Sequence, residues 1–131
     1  MTVKVLLATT VRWPSAARLA GAFAAVGCTV EALLPAGHPA AKSCYLSRVH
    51  LYRPMAGPVS FLEGVGQSQT DFVVALDDRA TALLLRAQKR ATADVAALIC
   101  RSLGNTNHYA QLMSRNGFIA AARPANLQIG R

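Results

Sequence analysis

The sequence predicts an α/β fold, a three-layer sandwich in which helices cover both faces of a four-stranded parallel sheet, with extra helices at the C-terminal end. Three observations predict it. Val3-Lys4-Val5-Leu6-Leu7-Ala8 and Asp71-Phe72-Val73-Val74-Ala75-Leu76 are apolar almost without interruption, as strands buried on both faces are. Stretches with apolar residues at helical spacing alternate with the strands, the pattern of βαβ units joined by right-handed crossovers. The chain has 131 residues, 53% hydrophobic and 15% charged, which suits one domain with a buried core and excludes global disorder. Only 6% are aromatic, so that core is built from Ala, Leu and Val.

After the first strand, Thr9 to Pro14 is a polar interruption, and Pro14 suits the first turn of a helix. Ala16, Leu19, Ala20, Phe23 and Val26 then recur at helical spacing, with Gly27 as the left-handed stop. Thr29 to Leu34 is the second strand, ended by Pro35, and the Pro- and Gly-bearing stretch 35–43 is a loop with room for one helical turn. Val49 to Tyr52 is a short third strand whose polar alternation suits an edge. Val59, Phe61, Leu62 and Val65 suggest a short helix that Gly64 and Gly66 weaken. The fourth strand, Asp71 to Leu76, leads into Asp77-Asp78-Arg79 and a helix from about Ala80 to Ala91 with Leu83, Leu84 and Ala87 inward. Asp77 or Asp78 caps it. Val95, Leu98, Ile99, Ser102 and Leu103 mark another helix, capped by Thr92 and ended by Gly104. Tyr109, Leu112 and Met113 mark a short helix, and Phe118 to Ala122 a weak one that Pro124 stops. Residues 1–123 form the single domain and 124–131 a tail. A strand order of 3-2-1-4 puts the two continuous apolar strands in or next to the middle of the sheet.

Fourteen Lys and Arg oppose six Asp and Glu, a formal net charge of +8, which raises nucleic acids, anionic membranes and small anions as partners. The basic residues are scattered. The densest group, Arg86, Lys89 and Arg90, reads as a solvated helix face, and no aromatic residues alternate with cations as base-stacking platforms do. Nucleic-acid binding is therefore only the third reading of function. Cys28, Cys44 and Cys100 form no CxxC pair and read as small apolar fillers in a reducing compartment. His38, His50 and His108 are dispersed, and no metal site is expected. No apolar run reaches the roughly 18 residues that span a bilayer, so the expectation is a cytoplasmic protein with no membrane partner.

If strands one and four are neighbours, Thr9-Thr10-Val11-Arg12-Trp13 faces Asp77-Asp78-Arg79 across the switch point, where open α/β sheets bind ligands. Thr9 and Thr10 offer hydroxyls, or else close the turn. Arg12 or Arg79 can clamp an anion beside a helix N-terminus. Asp77 or Asp78 can hold an amine or sugar hydroxyls, or else serve only as a cap. Trp13 either covers the end of the sheet or offers an aromatic face. His38, in Ala36-Gly37-His38-Pro39 on the same rim, is a binding residue or an ordinary turn residue. Neither a dinucleotide fingerprint nor a P-loop occurs, and no spacing supports a nucleophile–base pair, so no residue is assigned a catalytic role.

Several segments in order carry a resemblance. Val5-Leu6-Leu7-Ala8-Thr9-Thr10, Arg12-Trp13-Pro14-Ser15-Ala16-Ala17-Arg18-Leu19-Ala20, Pro35-Ala36-Gly37-His38-Pro39, Asp77-Asp78-Arg79-Ala80, Ser102-Leu103-Gly104 and Ser114-Arg115 together resemble an uncharacterised branch of ATP-grasp proteins, over nearly the whole chain. The resemblance implies the N-terminal preATP-grasp domain, a Rossmann-like sheet, of a carboxylate–amine ligase that uses ATP and magnesium. The ATP- and magnesium-holding residues would lie in domains after Arg131, so no cofactor is expected on this chain. The first reading is thus a non-catalytic N-terminal domain contributing substrate-facing loops, partnered by the downstream ATP-grasp domains or by a second copy. The alternative is a free-standing α/β module that binds a small anionic metabolite between strands one and four.

Overall fold

Four parallel strands, β1 (Lys4–Ala8), β2 (Thr29–Pro35), β3 (Leu46–Tyr52) and β4 (Phe72–Ala75), form one sheet in the order β3-β2-β1-β4. The computed structural model describes residues 1–128, without the side chains of Thr106 and Leu112. β1 lies at the centre because it can be buried on both faces: Val5 to Ala8 are all inaccessible. Its register aligns Leu6 with Glu31 of β2 and with Val73 of β4. The chain thus reverses its winding between β1 and β4, as the predicted order requires.

Alternation along the strands divides the core into two layers. Val5, Leu7, Val30, Ala32 and Leu34 face α1 (Ser15–Ala25), which presents Ala16 and Ala20 to them. Leu6, Ala8, Leu33, Tyr52 and Val73 face α2 (Gly57–Ser68), α3 (Asp78–Gln88) and α4 (Ala93–Leu103), which contribute Phe61, Val65, Leu84 and Ile99. This second layer is the larger and holds the Tyr52–Phe61 edge-to-face pair, with centroids 5.4 Å apart. α5 (Tyr109–Leu112) and α6 (Arg115–Ala122) follow, and Ala122 is the buried residue of α6.

Several elements differ from the sequence expectation. β3 starts three residues earlier than Val49, because its edge position lets Ser47 and Arg48 remain in solvent while still pairing with β2. α2 runs for 12 residues despite its glycines. A Cβ at Gly64 would lie 2.9 Å from Leu33 Cδ1, so this glycine lets the helix approach the sheet closely. α3 begins at Asp78 and ends at Gln88, and α6 begins at Arg115, capped by Ser114, whose hydroxyl accepts from the Gly117 N–H at 3.1 Å. Thr92 occupies the N-cap position of α4 but makes no side-chain cap bond. The expected one-turn helix in the loop after β2 is present at Pro39–Lys42. Of the expected tail, residues 124–126 form turns and 129–131 lie outside the described residues.

The two edges of the sheet are treated differently. α4 lies along β4: the Val73 N–H donates to Ser102 Oγ at 2.9 Å, and Arg101 Nε donates to the Asp71 carbonyl at 2.9 Å while its guanidinium sits over Phe72. No described strand pairs with the outer side of β3. No described helix is long and apolar enough to cross a membrane.

Candidate functional site

Because β1 and β4 are neighbours, the loops that follow them meet at the C-terminal rim of the sheet. They are joined by one side chain. Asp77 Oδ2 accepts from the Thr9 hydroxyl at 2.8 Å and the Thr10 N–H at 2.7 Å, and Oδ1 accepts from the Thr10 hydroxyl and the Ala80 N–H, each at 2.8 Å. Burial by itself would raise this carboxyl, but the Thr10 and Ala80 N–H groups and the two hydroxyls outweigh it and hold the group below its ordinary value of 3.8. Asp77 therefore caps α3 and clasps the β1 loop at once. The Thr9 hydroxyl also accepts from the Val11 N–H at 3.2 Å, closing a tight turn. Thr9, Thr10 and Asp77 are brought together as predicted, but their polar atoms satisfy one another.

The open chemistry lies on the β2 side of the same loop. Arg12 is exposed and forms no ion pair among the described residues. Its guanidinium lies over Gly37, where a Cβ would stand 3.9 Å from its carbon and from one terminal nitrogen. Gly37 has φ +73°, a conformation that suits glycine, and it turns the chain so that His38 tucks beneath. His38 is 2% exposed. Its Nδ1 accepts from the Ala40 N–H at 3.0 Å, which places the ring proton of the neutral form on Nε2. That Nε2 is buried and has no hydrogen-bond partner. Burial lowers the His38 pKa below 6.5; the nearby Val11 carbonyl opposes the shift without reaching hydrogen-bond geometry, and the Arg12 charge reinforces it. Behind Arg12, α1 starts at Ser15 with no side-chain cap and no acidic residue in its first turn, leaving its positive end unneutralised.

The remaining predicted residues are dispersed around this centre. Trp13 is 65% exposed. Asp78 and Arg79 are exposed on the first turn of α3, without ion pairs among the described residues. Sequence reasoning missed a half-buried pair away from the rim: His50 Nε2 and Glu31 Oε2 stand 2.7 Å apart on β3 and β2. The two are diagonal neighbours, since Leu33 aligns with His50 and Glu31 with Arg48, and only the register reveals it. Among the described residues no cluster of three or more His, Cys, Asp or Glu could hold a metal ion. No protein-family model, curated protein or solved structure matches the chain.

Proposed function

We propose that this protein binds a small anionic metabolite, a carboxylate or phosphate ester, at the C-terminal rim between the β1 and β2 loops. The observation that carries the reading is an Arg12 guanidinium that forms no ion pair among the described residues and lies over Gly37, two residues ahead of Pro14, the N-cap of α1; Gly37 is followed by His38, whose buried Nε2–H has no partner. The Arg12 charge and the positive end of α1 belong to one loop, and a bidentate anion satisfies the guanidinium fork. His38 stays neutral and donates through Nε2. Asp77 holds the loop in place and touches no ligand, because its lone pairs are occupied.

Thermal denaturation with inorganic phosphate or a small dicarboxylate, against chloride at equal ionic strength, tests the site. Ligand at about 100 times Kd stabilises the fold by about 2.7 kcal/mol. Arg12→Ala should abolish that stabilisation and Arg79→Ala should leave it intact. Equal stabilisation of the wild type and Arg12→Ala overturns the assignment.

A second reading, the N-terminal domain of an ATP-grasp ligase-like protein, is favoured by the C-terminal helices. Met113 and Phe118 are 44% and 57% exposed beside a groove of about 610 Å³ that reaches Leu103 and Asp78. Such an apolar surface suits a further domain or a second copy. On this reading ATP and magnesium are held elsewhere and the chain alone turns over no ATP. ATP hydrolysis by the purified chain that survives repeated purification overturns it.

A further inference from the structure

A second groove, unrelated to the rim, runs between α2 and α3. Pro58, Val59 and Leu62 of α2 and Ala87 of α3 form its apolar lining, and Arg86, Lys89 and Arg90 complete it, enclosing about 320 Å³. Val59, on the face of α2 that lines the groove, is 52% exposed. At Leu62 and Arg90 the groove continues into a larger one of about 690 Å³ along α4, which adds Val95 and Arg101.

Among the described residues none of the three cations forms an ion pair. Of the six acidic residues, Glu31 pairs with His50, Glu63 pairs with Arg53, Asp71 accepts the Lys4 N–H, and Asp77 is saturated. Asp78 stands at the start of α3, away from its basic end. Asp94 borders the neighbouring groove and forms no ion pair among the described residues. The C-terminal end of α3 favours a nearby cation, which does not by itself account for three cations set around an apolar floor.

We propose that the α2–α3 groove docks an acidic amphipathic segment of a partner protein, which lays apolar side chains on Val59 and Leu62 and directs Asp or Glu towards Arg86, Lys89 and Arg90. Helix-in-groove recognition needs an apolar floor of this kind and a charged border that sets orientation. The chemistry selects against the other occupants. No aromatic side chain lines either groove, so bases have no platform on which to stack. A second copy of this chain carries the same net charge of +8 and has few acids to offer.

The probe is a fluorescein-labelled amphipathic peptide of about 16 residues, long enough for four helical turns, with Leu on one face and Glu on the other. Binding is read by anisotropy with the full chain. The acidic peptide should bind, and a Leu-free version and a Glu→Lys version should each bind at least about tenfold more weakly, a difference of about 1.4 kcal/mol. Arg86→Glu/Arg90→Glu should weaken binding by at least that factor with an unchanged circular dichroism spectrum. Val59→Ser, at an exposed position that does not threaten the fold, should weaken it severalfold. Undiminished binding by the double variant overturns the proposal, as does equal binding of the Leu-free peptide. So does tighter Arg86- and Arg90-dependent binding of a single-stranded oligonucleotide or of anionic phospholipid vesicles.

Discussion

Asp77 carries more of the rim than any other single residue. Its two oxygens accept four hydrogen bonds, three from the loop after β1 and one from the start of α3. Asp77→Ala removes a helix cap worth about 1 kcal/mol and leaves the Thr9 and Thr10 donors without their acceptor, so a total loss of about 2–4 kcal/mol is expected in urea denaturation. The group titrates lower folded than unfolded. Its contribution is therefore complete above its ordinary value of 3.8 and is lost as the pH falls from there through the folded value. The acid limb of the wild-type stability curve should flatten in Asp77→Ala; an unchanged limb would refute the clasp. The sequence presents Asp77 and Asp78 as equivalent caps, since either can stand ahead of Ala80. What separates them is contact with Thr9 and Thr10, 68 and 67 residues away, which no local pattern encodes.

At the scale of elements, the strands were legible, and α2 was legible as a helix but not in its full 12-residue length. A continuous apolar run identifies β1, buried on both faces, and polar alternation identifies β3 as an edge; the equally apolar run of β4 marks a strand but not its place, since β4 is the other edge and Phe72 stays exposed. Gly64 and Gly66 lower helix propensity, and their meaning depends on what stands opposite. Gly64 faces Leu33 at a distance that leaves no room for a methyl group, whereas a Cβ at Gly66 meets only Val95, at 3.9 Å. Gly66→Ala should therefore stabilise the protein by up to about 1 kcal/mol. Gly64→Ala should destabilise it by about 1–2 kcal/mol, overpacking the buried Leu33 by more than the propensity gain returns. Thermal or urea denaturation of the two variants checks the pair, and a shared sign would contradict the close approach of α2 to the sheet. The site was half legible for a similar reason. Strand adjacency predicts that Thr9, Thr10 and Asp77 meet, but the burial of His38 under Arg12 follows from the turn at Gly37, and the sequence alone leaves His38 with two readings.

Over the whole molecule, the strand order and the three-layer arrangement follow from the alternation of strands and helices, while the distribution of charge becomes readable only with coordinates. A count of 14 cations and six anions describes a basic protein. The structure adds that four of the anions are already engaged and that, among the described residues, Arg53 is the one Lys or Arg in an ion pair. The sheet is asymmetric as well. Ser102 and Arg101 seal the flank of β4, whereas the seven residues Leu46–Tyr52 present their outward amides and carbonyls to no described strand. Lateral growth of the sheet is thereby confined to one direction: a fifth strand, whether from this polypeptide or another, has a free template alongside β3, and on the opposite flank would first have to displace a helix.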